Sequence, residues 1–399
     1  MNKPTRNLTL MTDLYELTMM NGYHALGTAN RIAVFDVFFR QAGQISYAVA
    51  AGLEQAVEYI ENIHFDADDI EYLRSQGFGG SFLEELRDFR FTGDVFSVPE
   101  GTIVFPNEPI LIVRAPLAQA QLIEPALLNI INHQTLIATK ASKVKKSAGA
   151  ASVSEFGLRR AQGPDAGIYG ARASVIGGCS GTSNVLSGQM FDIPVKGTMA
   201  HSWIMSFDSE LEAFRKFAEI YPDNTLLLVD TYDTLRSGVP NAIKVFDEVV
   251  VPKGFRPKGV RIDSGDIAYL SKKMRKMLDD AGYPDVAIVA SNSLDEYIIG
   301  ELWSQGAQVD SFGVGESLIT SRSSPVFGGV YKLAAVEHNG VYTNKIKVSE
   351  SIDKITNPGF KTLYRLYAND TGKAIADYIA FHDEEIDESQ PLTIFDPIA

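Results

Sequence analysis

Cysteine is almost absent from this sequence, and so are long apolar runs. The one cysteine among 399 residues, Cys179, excludes an intrachain disulfide framework and a cysteine-based zinc cluster. No run approaches the ~20 apolar residues that a membrane-spanning helix needs. Basic residues are outnumbered by acidic ones, and the net charge of −14 argues against nucleic acid as a main partner. These features favour a cytoplasmic, soluble protein with no membrane segment.

Two common nucleotide-binding signatures are missing as well. The chain contains no GxxxxGK[ST] phosphate loop, and no third glycine follows Gly313 and Gly315 to make a dinucleotide fingerprint. Any phosphate site must therefore be local, built from a few Arg and Lys side chains and from backbone amides. With 399 residues, the chain is also longer than one hydrophobic core usually supports, which predicts two domains.

The pattern of apolar segments divides the chain into three parts. Residues 1–125 combine helical spacings with short strands, as in an α+β unit. Residues 126–325 alternate apolar runs with helical stretches, which predicts a parallel sheet, either open or closed into a (β/α) barrel. Because polar residues follow many successive strands, the barrel fits better. Residues 326–399 return to strand-like segments, which we expect to complete the N-terminal unit.

Local patterns predict the individual elements. Leu8–Gly22 reads as a loop and a short helix that ends at Gly22, and a further helical region covers Asp68–Arg87. Two short runs rich in small and β-branched residues, Ala173–Ile176 and Glu248–Val251, are expected to be strands of the sheet.

His201 stands where a strand or loop gives way to a helix. Hydroxyl groups at Thr198 and Ser202 flank it, and Gly197 lets a ligand approach the backbone closely. Imidazole titrates near neutral pH and can be phosphorylated on nitrogen, so this context suits a nucleophile or a proton carrier. A core or capping histidine is the other interpretation, and these residues alone leave both open.

Chemically capable residues follow the predicted strands at their carboxyl ends, where α/β enzymes build active sites. Asp230 ends an apolar strand and precedes Thr, Ser and Gly, which suits either a magnesium-bound sugar phosphate or an ordinary helix start. Arg261 and Asp263 alternate on one strand face, as a ligand-binding pair or a structural salt bridge. The bare backbone at Gly313 and Gly315 precedes a predicted helix, an arrangement that holds phosphates.

Four separate motifs, in the right order, resemble the nicotinate phosphoribosyltransferase family over nearly the whole chain. They are Thr-Asp-Leu-Tyr-Glu-Leu-Thr-Met at 12–19, Glu-Phe-Gly-Leu-Arg-Arg-Ala at 155–161, Gly-Thr-Met-Ala-His-Ser at 197–202 and Arg-Ile-Asp-Ser-Gly-Asp at 261–266. The resemblance implies a type II phosphoribosyltransferase fold, which is an irregular α/β barrel plus a split α+β domain. It also implies a homodimer whose active sites are shared between subunits.

The reaction that the resemblance implies makes nicotinate mononucleotide and pyrophosphate from nicotinate and phosphoribosyl pyrophosphate, the first step of NAD synthesis from nicotinate. ATP hydrolysis is coupled to it through a phosphohistidine, which His201 matches. Asp230 and Asp263 match acids on the ribose and magnesium side, so both are predicted Mg²⁺ ligands. Asp263 is also predicted to be catalytic.

The resemblance assigns substrate contacts too. Phe156 and Tyr15, the latter acting from the other subunit, match the aromatic pair that sandwiches the pyridine ring. Arg159, Thr198 and Arg261 match groups near the ring carboxylate and the phosphates. The remaining predicted substrate-binding residues are Glu316 and four residues that follow predicted strands, Ser291, Asn292, Gly313 and Gly315. The family often has Thr where this chain has Glu316, which leaves open whether this acid acts through a metal or a water.

Two alternative functions remain. The first is the same fold acting on nicotinamide. Related nicotinamide enzymes carry an Asp in a Gly-Thr-x segment where this chain has Ser183, and a neutral site near an Arg favours nicotinate. The second is a non-catalytic barrel that senses a phosphorylated metabolite, which would not need His201.

Overall fold

The structure, a computed structural model, describes residues 6–40, 45–351, 354–387, 389–391 and 393. The strands are β1 (Ile32–Phe39), β2 (Ala48–Val49), β3 (Asp94–Ser97), β4 (Ile103–Val104), β5 (Leu111–Pro116), β6 (Ser152–Glu155), β7 (Leu226–Leu228), β8 (Gly259–Ile262), β9 (Ala287–Ser291), β10 (Ser311–Val314), β11 (Gly329–His338), β12 (Val341–Asn344), β13 (Lys361–Tyr367) and β14 (Ala374–Phe381).

The α-helices are α1 (Leu14–Ala25), α2 (Leu53–Asn62), α3 (Ala67–Ser75), α4 (Gly80–Arg87), α5 (Leu117–Leu122), α6 (Glu124–Ala148), α7 (Pro164–Ile176), α8 (Val185–Phe191), α9 (His201–Met205), α10 (Glu210–Ile220), α11 (Val239–Val245), α12 (Ile267–Asp280), α13 (Glu296–Ser304) and α14 (Glu316–Ile319). Short 3₁₀ turns lie at Leu158–Arg160, Pro222–Asn224 and Val251–Lys253, and π-helical turns at Thr234–Gly238 and Phe246–Val250. Within the described ranges, no helix is long and apolar enough to cross a membrane.

Two compact units make up the chain, and the first combines Met1–Asn132 with Phe327–Ala399. Its main sheet has the order β12-β11-β1-β5-β3, and each of its ladders is antiparallel. The central strand β1 is buried from Ala33 to Phe39 and reads as a nearly continuous apolar run, because both of its faces are covered. Because β11 pairs with β1, this sheet contains both the N-terminal and the C-terminal segment of the first unit.

The second unit, His133–Val326, contains the parallel sheet β6-β10-β9-β8-β7. Single-residue parallel bridges extend it beyond β6, from Glu155 to Thr182 and from Thr182 to Val195. The predicted α/β class with a parallel sheet is confirmed. Within this unit, which the structure describes throughout, no ladder joins the segment at Val195 to β7, so full closure of the barrel stays a prediction.

Two predicted strands are helical instead. Ala173–Ile176 is the last turn of α7, which starts at Pro164, a residue well suited to a first helical position. Glu248–Val251 falls where α11 continues through a π-helical turn with Phe246 and Val250 buried. Both predictions were wrong because a four-residue apolar run does not distinguish a strand from a buried helix segment.

Two predicted helix boundaries differ from the structure, and a glycine stands at each of them. The helical region predicted over Asp68–Arg87 is two helices, α3 and α4, because Gly77 between them adopts a φ of +93° that other residues rarely reach. The first helix does not end at Gly22, as predicted, but continues to Ala25. There, the carbonyl of Gly22 accepts a hydrogen bond from the Leu26 N–H, so the glycine is an ordinary helical residue.

Candidate active site

Strand β6 of the parallel sheet ends in a buried carboxylate. Glu155 ends β6 with a fully buried side chain, whose Oε2 accepts a hydrogen bond from Thr182 Oγ1 at 2.6 Å and whose Oε1 accepts one from the Gly157 N–H. Burial raises the pKa of Glu155, although these two donors oppose the effect. The carboxylate therefore fixes the turn that carries Phe156 and Arg159, a positioning role that the sequence motif did not reveal.

The ring of Phe156 lies against the backbone of β10. The Phe156 N–H donates to Val314 O at 2.8 Å, which continues the β6–β10 pairing by one residue. A Cβ atom at Gly313 would lie 2.5 Å from two ring carbons of Phe156. Gly313 is thus required for the close approach of the ring, a local reason for the glycine that is separate from phosphate binding.

His201 and two acids meet at the ends of β7 and β8. His201 begins α9, and its Nε2 lies 3.2 Å from Oδ1 of Asp230. The other oxygen of Asp230 accepts hydrogen bonds from Asp263 N–H at 2.9 Å and from Ser264 Oγ at 2.6 Å. The Asp230 side chain is 1% exposed and the His201 side chain 38% exposed, so a shielded carboxylate orients an accessible imidazole.

Arg261 projects from β8 toward the residues that precede α9. Its Nη2 donates to Met199 O at 2.9 Å, and its Nη1 is 3.5 Å from Thr198 Oγ1. Its Nε is buried and has no partner among the described residues. Burial lowers the pKa of Arg261 and the charge of Arg159 adds to this, while Asp263 opposes both. A second arginine and an unused N–H donor suit an anionic ligand.

The end of β9 contributes a hydroxyl and a tight turn. Ser291 Oγ donates to Asp263 Oδ1, which ties the ends of β9 and β8 together. The next two residues, Asn292 and Ser293, have φ angles of +83° and +44°, in the left-handed region that favours glycine. Backbone held in this way is a feature of ligand-binding turns.

Glu316, at the start of α14, lies between two arginines. Its Oε2 is 3.8 Å from Arg160 Nε, and its Oε1 is 3.7 Å from Arg322 Nη1. Sequence reasoning did not single out either arginine. Arg160 stands next to Arg159 inside the second motif, so a signal was available, whereas Arg322 belongs to no motif and only the fold brings it here.

One cavity of about 440 Å³ gathers most of the predicted substrate-binding residues. Those that line it are Phe156, Arg159, Arg261, Ser291, Asn292, Gly313, Gly315 and Glu316. The predicted catalytic acid Asp263 lines it as well. Thr198 lines an adjoining cavity of about 290 Å³ that shares Arg261 with the first. His201 and Asp230 do not line the larger cavity, but Asp230 contacts it through the backbone of Asp263. Tyr15 belongs to the other unit, where its side chain on α1 is 50% exposed.

The acids of the site can be tested against the expected magnesium ion. Both oxygens of Asp230 already have protein partners, whereas Asp263 uses Oδ1 for Ser291 and keeps Oδ2 for another contact. In the described ranges, no three His, Cys, Asp or Glu residues form a metal cage. Mg²⁺ in phosphate-binding enzymes is commonly held by one or two carboxylates plus substrate phosphates. Asp263 fits such a shared ion, and Asp230 fits a positioning role better than that of a ligand.

The fold is that of an α/β enzyme, and its cavity combines an aromatic ring with several arginines, as suits a multiply charged anion. Four arginines and two carboxylates line the cavity around Phe156. Three family models match the chain: the nicotinate phosphoribosyltransferase N-terminal domain over residues 10–132, the nicotinate phosphoribosyltransferase family over 151–364, and its C-terminal domain over 360–399. The chain belongs to the nicotinate phosphoribosyltransferase family.

Relatives agree with this assignment over nearly the whole chain. The chain is 48% identical to a nicotinate phosphoribosyltransferase of Bacillus subtilis over 98% of its own length and 80% of the relative. It is 33% identical to the human nicotinate phosphoribosyltransferase over 97% of the chain and 82% of the relative. The crystal structure of the human nicotinic acid phosphoribosyltransferase superposes with a TM-score of 0.82 at 32% identity, covering 95% of this chain and 83% of that one.

A more distant structure shares the fold. The nicotinate-nucleotide pyrophosphorylase of Pyrococcus furiosus superposes with a TM-score of 0.72 at 23% identity and covers 97% of this chain and 87% of that one. At this identity the likeness concerns the fold alone.

Proposed function

We propose that this protein transfers the phosphoribosyl group of phosphoribosyl pyrophosphate to nicotinate, giving nicotinate mononucleotide and pyrophosphate in the synthesis of NAD. The observation that carries the proposal is a single cavity that combines the aromatic Phe156 with Arg159 and Arg261. A flat ring bearing a carboxylate needs both features. The nicotinate phosphoribosyltransferases to which the chain is similar support the same assignment.

The pyridine ring would stack on Phe156, and its carboxylate would be read by an arginine. A planar guanidinium pairs with a carboxylate through two charge-assisted hydrogen bonds, which a neutral amide cannot reproduce. Ser183 lines the same cavity and brings no negative charge there. Nicotinate is therefore the expected substrate and nicotinamide a poor one.

During transfer, the bond between ribose C1 and the pyrophosphate oxygen breaks while the ring nitrogen forms a bond to C1. Positive charge develops on the ribose and negative charge on the leaving pyrophosphate. Carboxylates such as Asp263 tolerate the former charge, and the arginines that line the cavity stabilise the latter. A magnesium ion bound with the pyrophosphate would add a Lewis acid, and Asp263 is the residue suited to hold it.

ATP hydrolysis would be coupled through His201. If neutral imidazole donates from Nε2 to Asp230, the lone pair lies on Nδ1, which can attack the γ-phosphorus of ATP and release ADP. Water later cleaves the N–P bond, releases phosphate and regenerates the imidazole. Support for this role comes from the side-chain exposure of His201, 38%, and from its shielded carboxylate partner.

A homodimer would complete the site. Phe156 offers one face of an aromatic sandwich, and Tyr15 is an exposed aromatic residue on α1 that can supply the second face to another copy of the chain. Stacking on two rings adds roughly 0.5–1.5 kcal/mol per aromatic pair beyond the area that is buried.

A product assay tests the proposal. Purified protein is incubated with phosphoribosyl pyrophosphate and Mg²⁺ plus either nicotinate or nicotinamide, with and without ATP, and the nucleotides are separated by chromatography. We expect nicotinate mononucleotide, formed faster with ATP. The His201→Ala variant should lose the ATP stimulation and keep slow transfer. Faster product from nicotinamide would indicate the amide-specific activity, and no product from either base would indicate a non-catalytic binding protein.

A further inference from the structure

The proposed reaction gives no role to Glu316, although its side chain lines the cavity. This carboxylate lies in a cavity that we propose to bind anions. Its Oε2 is 3.8 Å from Arg160 Nε, and its Oε1 is 3.7 Å from Arg322 Nη1. All three side chains line the cavity. They are also solvent-exposed, by 51% for Glu316, 66% for Arg160 and 72% for Arg322, so the contacts stabilise the fold little.

The four arginines of the cavity differ in their surroundings. Arg261 is partly buried, and the exposed Arg159 is close enough to lower its pKa further. Arg160 and Arg322, the outer pair, are exposed and share the Glu316 carboxylate between them. Distances of 3.7–3.8 Å exceed hydrogen-bond length, so the N–H donors of this outer pair are not consumed by Glu316. The carboxylate reduces the local charge without occupying the donors.

We propose that Glu316 is a built-in counter-ion that weakens the binding of the phosphate-rich ligand at Arg160 and Arg322 and thereby speeds its release. The inference rests on the proposed function, because the anion in question is the pyrophosphate product and the matching part of the phosphoribosyl substrate. Both arginines gain hydrogen bonds to the bound anion, and the nearby carboxylate repels it. The same repulsion lowers the barrier for its departure.

Binding of inorganic pyrophosphate to the full-length protein, measured by isothermal titration calorimetry, tests the inference. Glu316→Gln keeps the size of the side chain and removes its charge. We expect pyrophosphate to bind the variant about tenfold more tightly than the wild type, both with and without Mg²⁺, which is a change of about 1.4 kcal/mol. The gain should shrink at high salt because the outer pair is exposed to solvent.

Two further variants sharpen the measurement. Glu301→Gln, on an exposed part of α13 outside the cavity, changes the net charge by the same amount and should leave binding unchanged. Arg322→Gln should weaken pyrophosphate binding, and in its presence Glu316→Gln should gain less than it does alone, because the two residues are coupled. In steady-state assays, Glu316→Gln should lower both KM for phosphoribosyl pyrophosphate and kcat, as expected when product release slows.

The possible outcomes separate this inference from the proposed function. Unchanged affinity in Glu316→Gln, with the wild type binding pyrophosphate, overturns the inference alone. If Glu316→Gln binds pyrophosphate more weakly than the wild type, and only when Mg²⁺ is present, the inference is also overturned, and Glu316 is a metal ligand instead. If neither protein binds pyrophosphate while the transfer assay still shows product, the inference is wrong and the proposed function stands. Failure of both binding and transfer overturns both.

Discussion

Nε2 of His201 lies 3.2 Å from Oδ1 of Asp230, and the second oxygen of the same carboxylate is held by Asp263 N–H and Ser264 Oγ. One aspartate thus connects the predicted phosphorylation site to the strand end that carries the predicted catalytic acid. Because both of its oxygens accept hydrogen bonds, the geometry of Asp230 is fixed on both sides. Its substitution should affect the orientation of the imidazole and the position of Asp263 together.

We predict that Asp230→Asn slows the phosphorylation of His201 by ATP. An asparagine can offer an acceptor to His201 or to the two donors at Asp263 and Ser264, but its NH₂ group must then face a donor on the other side. We expect labelling from γ-labelled ATP to fall on the order of 10–100-fold, as is typical for the loss of an orienting partner. The label should be acid-labile and absent from His201→Ala.

Asp280→Asn serves as the control for that experiment, because Asp280 is an exposed acid at the end of α12 that pairs with Lys276. It should label at the wild-type rate. Equal labelling of Asp230→Asn and wild type would remove Asp230 from the coupling mechanism.

The selectivity of the ring site should depend on the charge at Ser183. Ser183→Asp places a carboxylate in the cavity, where it repels the carboxylate of nicotinate and can accept from the amide of nicotinamide. We expect the ratio of kcat/KM for nicotinate over nicotinamide to fall on the order of 10²-fold. Ser183→Asn, which is neutral and nearly isosteric with the variant, should change it much less. An unaltered ratio in Ser183→Asp would mean that the carboxylate is recognised elsewhere.

Gly313→Ala should disturb substrate binding through Phe156. The added Cβ would lie 2.5 Å from two ring carbons, so the ring must move. We expect kcat/KM for nicotinate to fall roughly 10–100-fold, because small displacements of positioning groups have effects of this size. In a Phe156→Ala background, the same substitution should have little further effect. A similar loss in both backgrounds would show that Gly313 acts by another route, such as close approach to phosphate.

The stability of the protein should depend on pH through Glu16, a fully buried acid on α1 whose Oε2 accepts from Gln121 Nε2 at 2.6 Å. Burial raises the pKa of Glu16 from 4.5 to about 7, with Gln121 opposing the shift and Glu124 adding to it. The folded protein therefore holds a proton that the unfolded chain has lost between these pH values. Over that window, the contribution of Glu16 to the free energy of unfolding falls as pH rises.

Glu16→Gln tests this dependence, since the amide resembles the protonated acid at every pH. We expect the melting temperature of the variant to match the wild type near pH 4.5 and to exceed it at pH 8, with a free-energy difference on the order of 1–3 kcal/mol. Glu61→Gln, at an exposed position at the end of α2, should show no such trend. A constant difference between Glu16→Gln and wild type across pH would contradict the shifted pKa.

Mixed dimers test whether Tyr15 acts from a second subunit. If each active site needs Phe156 from one copy and Tyr15 from another, Tyr15→Ala and Phe156→Ala homodimers should both be nearly inactive. A mixed dimer of the two would contain one intact site, and its activity should recover to roughly a quarter to a half of the wild type. The measurement requires co-expression with two tags and purification of the mixed species. No recovery in that species would refute a shared site.

Periodicity and motifs predicted the parallel sheet well but not all of its members. β8 lies where its apolar run predicts a strand. Beyond β6, the sheet continues only through single-residue bridges at Thr182 and Val195, and no apolar run in the sequence predicts them. Single bridges leave no repeat in the sequence, because one residue is too short to alternate. The strand at Ala173–Ile176 was wrongly predicted for a related reason, because a four-residue apolar run is too short to distinguish a strand from a helix.

The candidate site was predictable where chemistry is carried by motifs and hidden where it depends on packing. His201, Arg261 and Asp263 were identified from their residue types at predicted strand ends. The sequence does not show that both oxygens of Asp230 accept hydrogen bonds or that Arg322 lines the cavity. Both facts depend on contacts between segments far apart in the chain.

The pairing of β1 with β11 has a consequence for how the protein is made. About 300 residues separate the two strands along the chain, so a ribosome adding about 5–20 residues per second would need roughly 15–60 s between them. During that interval the whole second unit emerges and can fold, while the edge of β1 that β11 will cover has no strand to pair with. An unpaired, apolar edge of this kind promotes aggregation. We therefore expect nascent chains truncated before β11 to depend on chaperones more than the completed protein does.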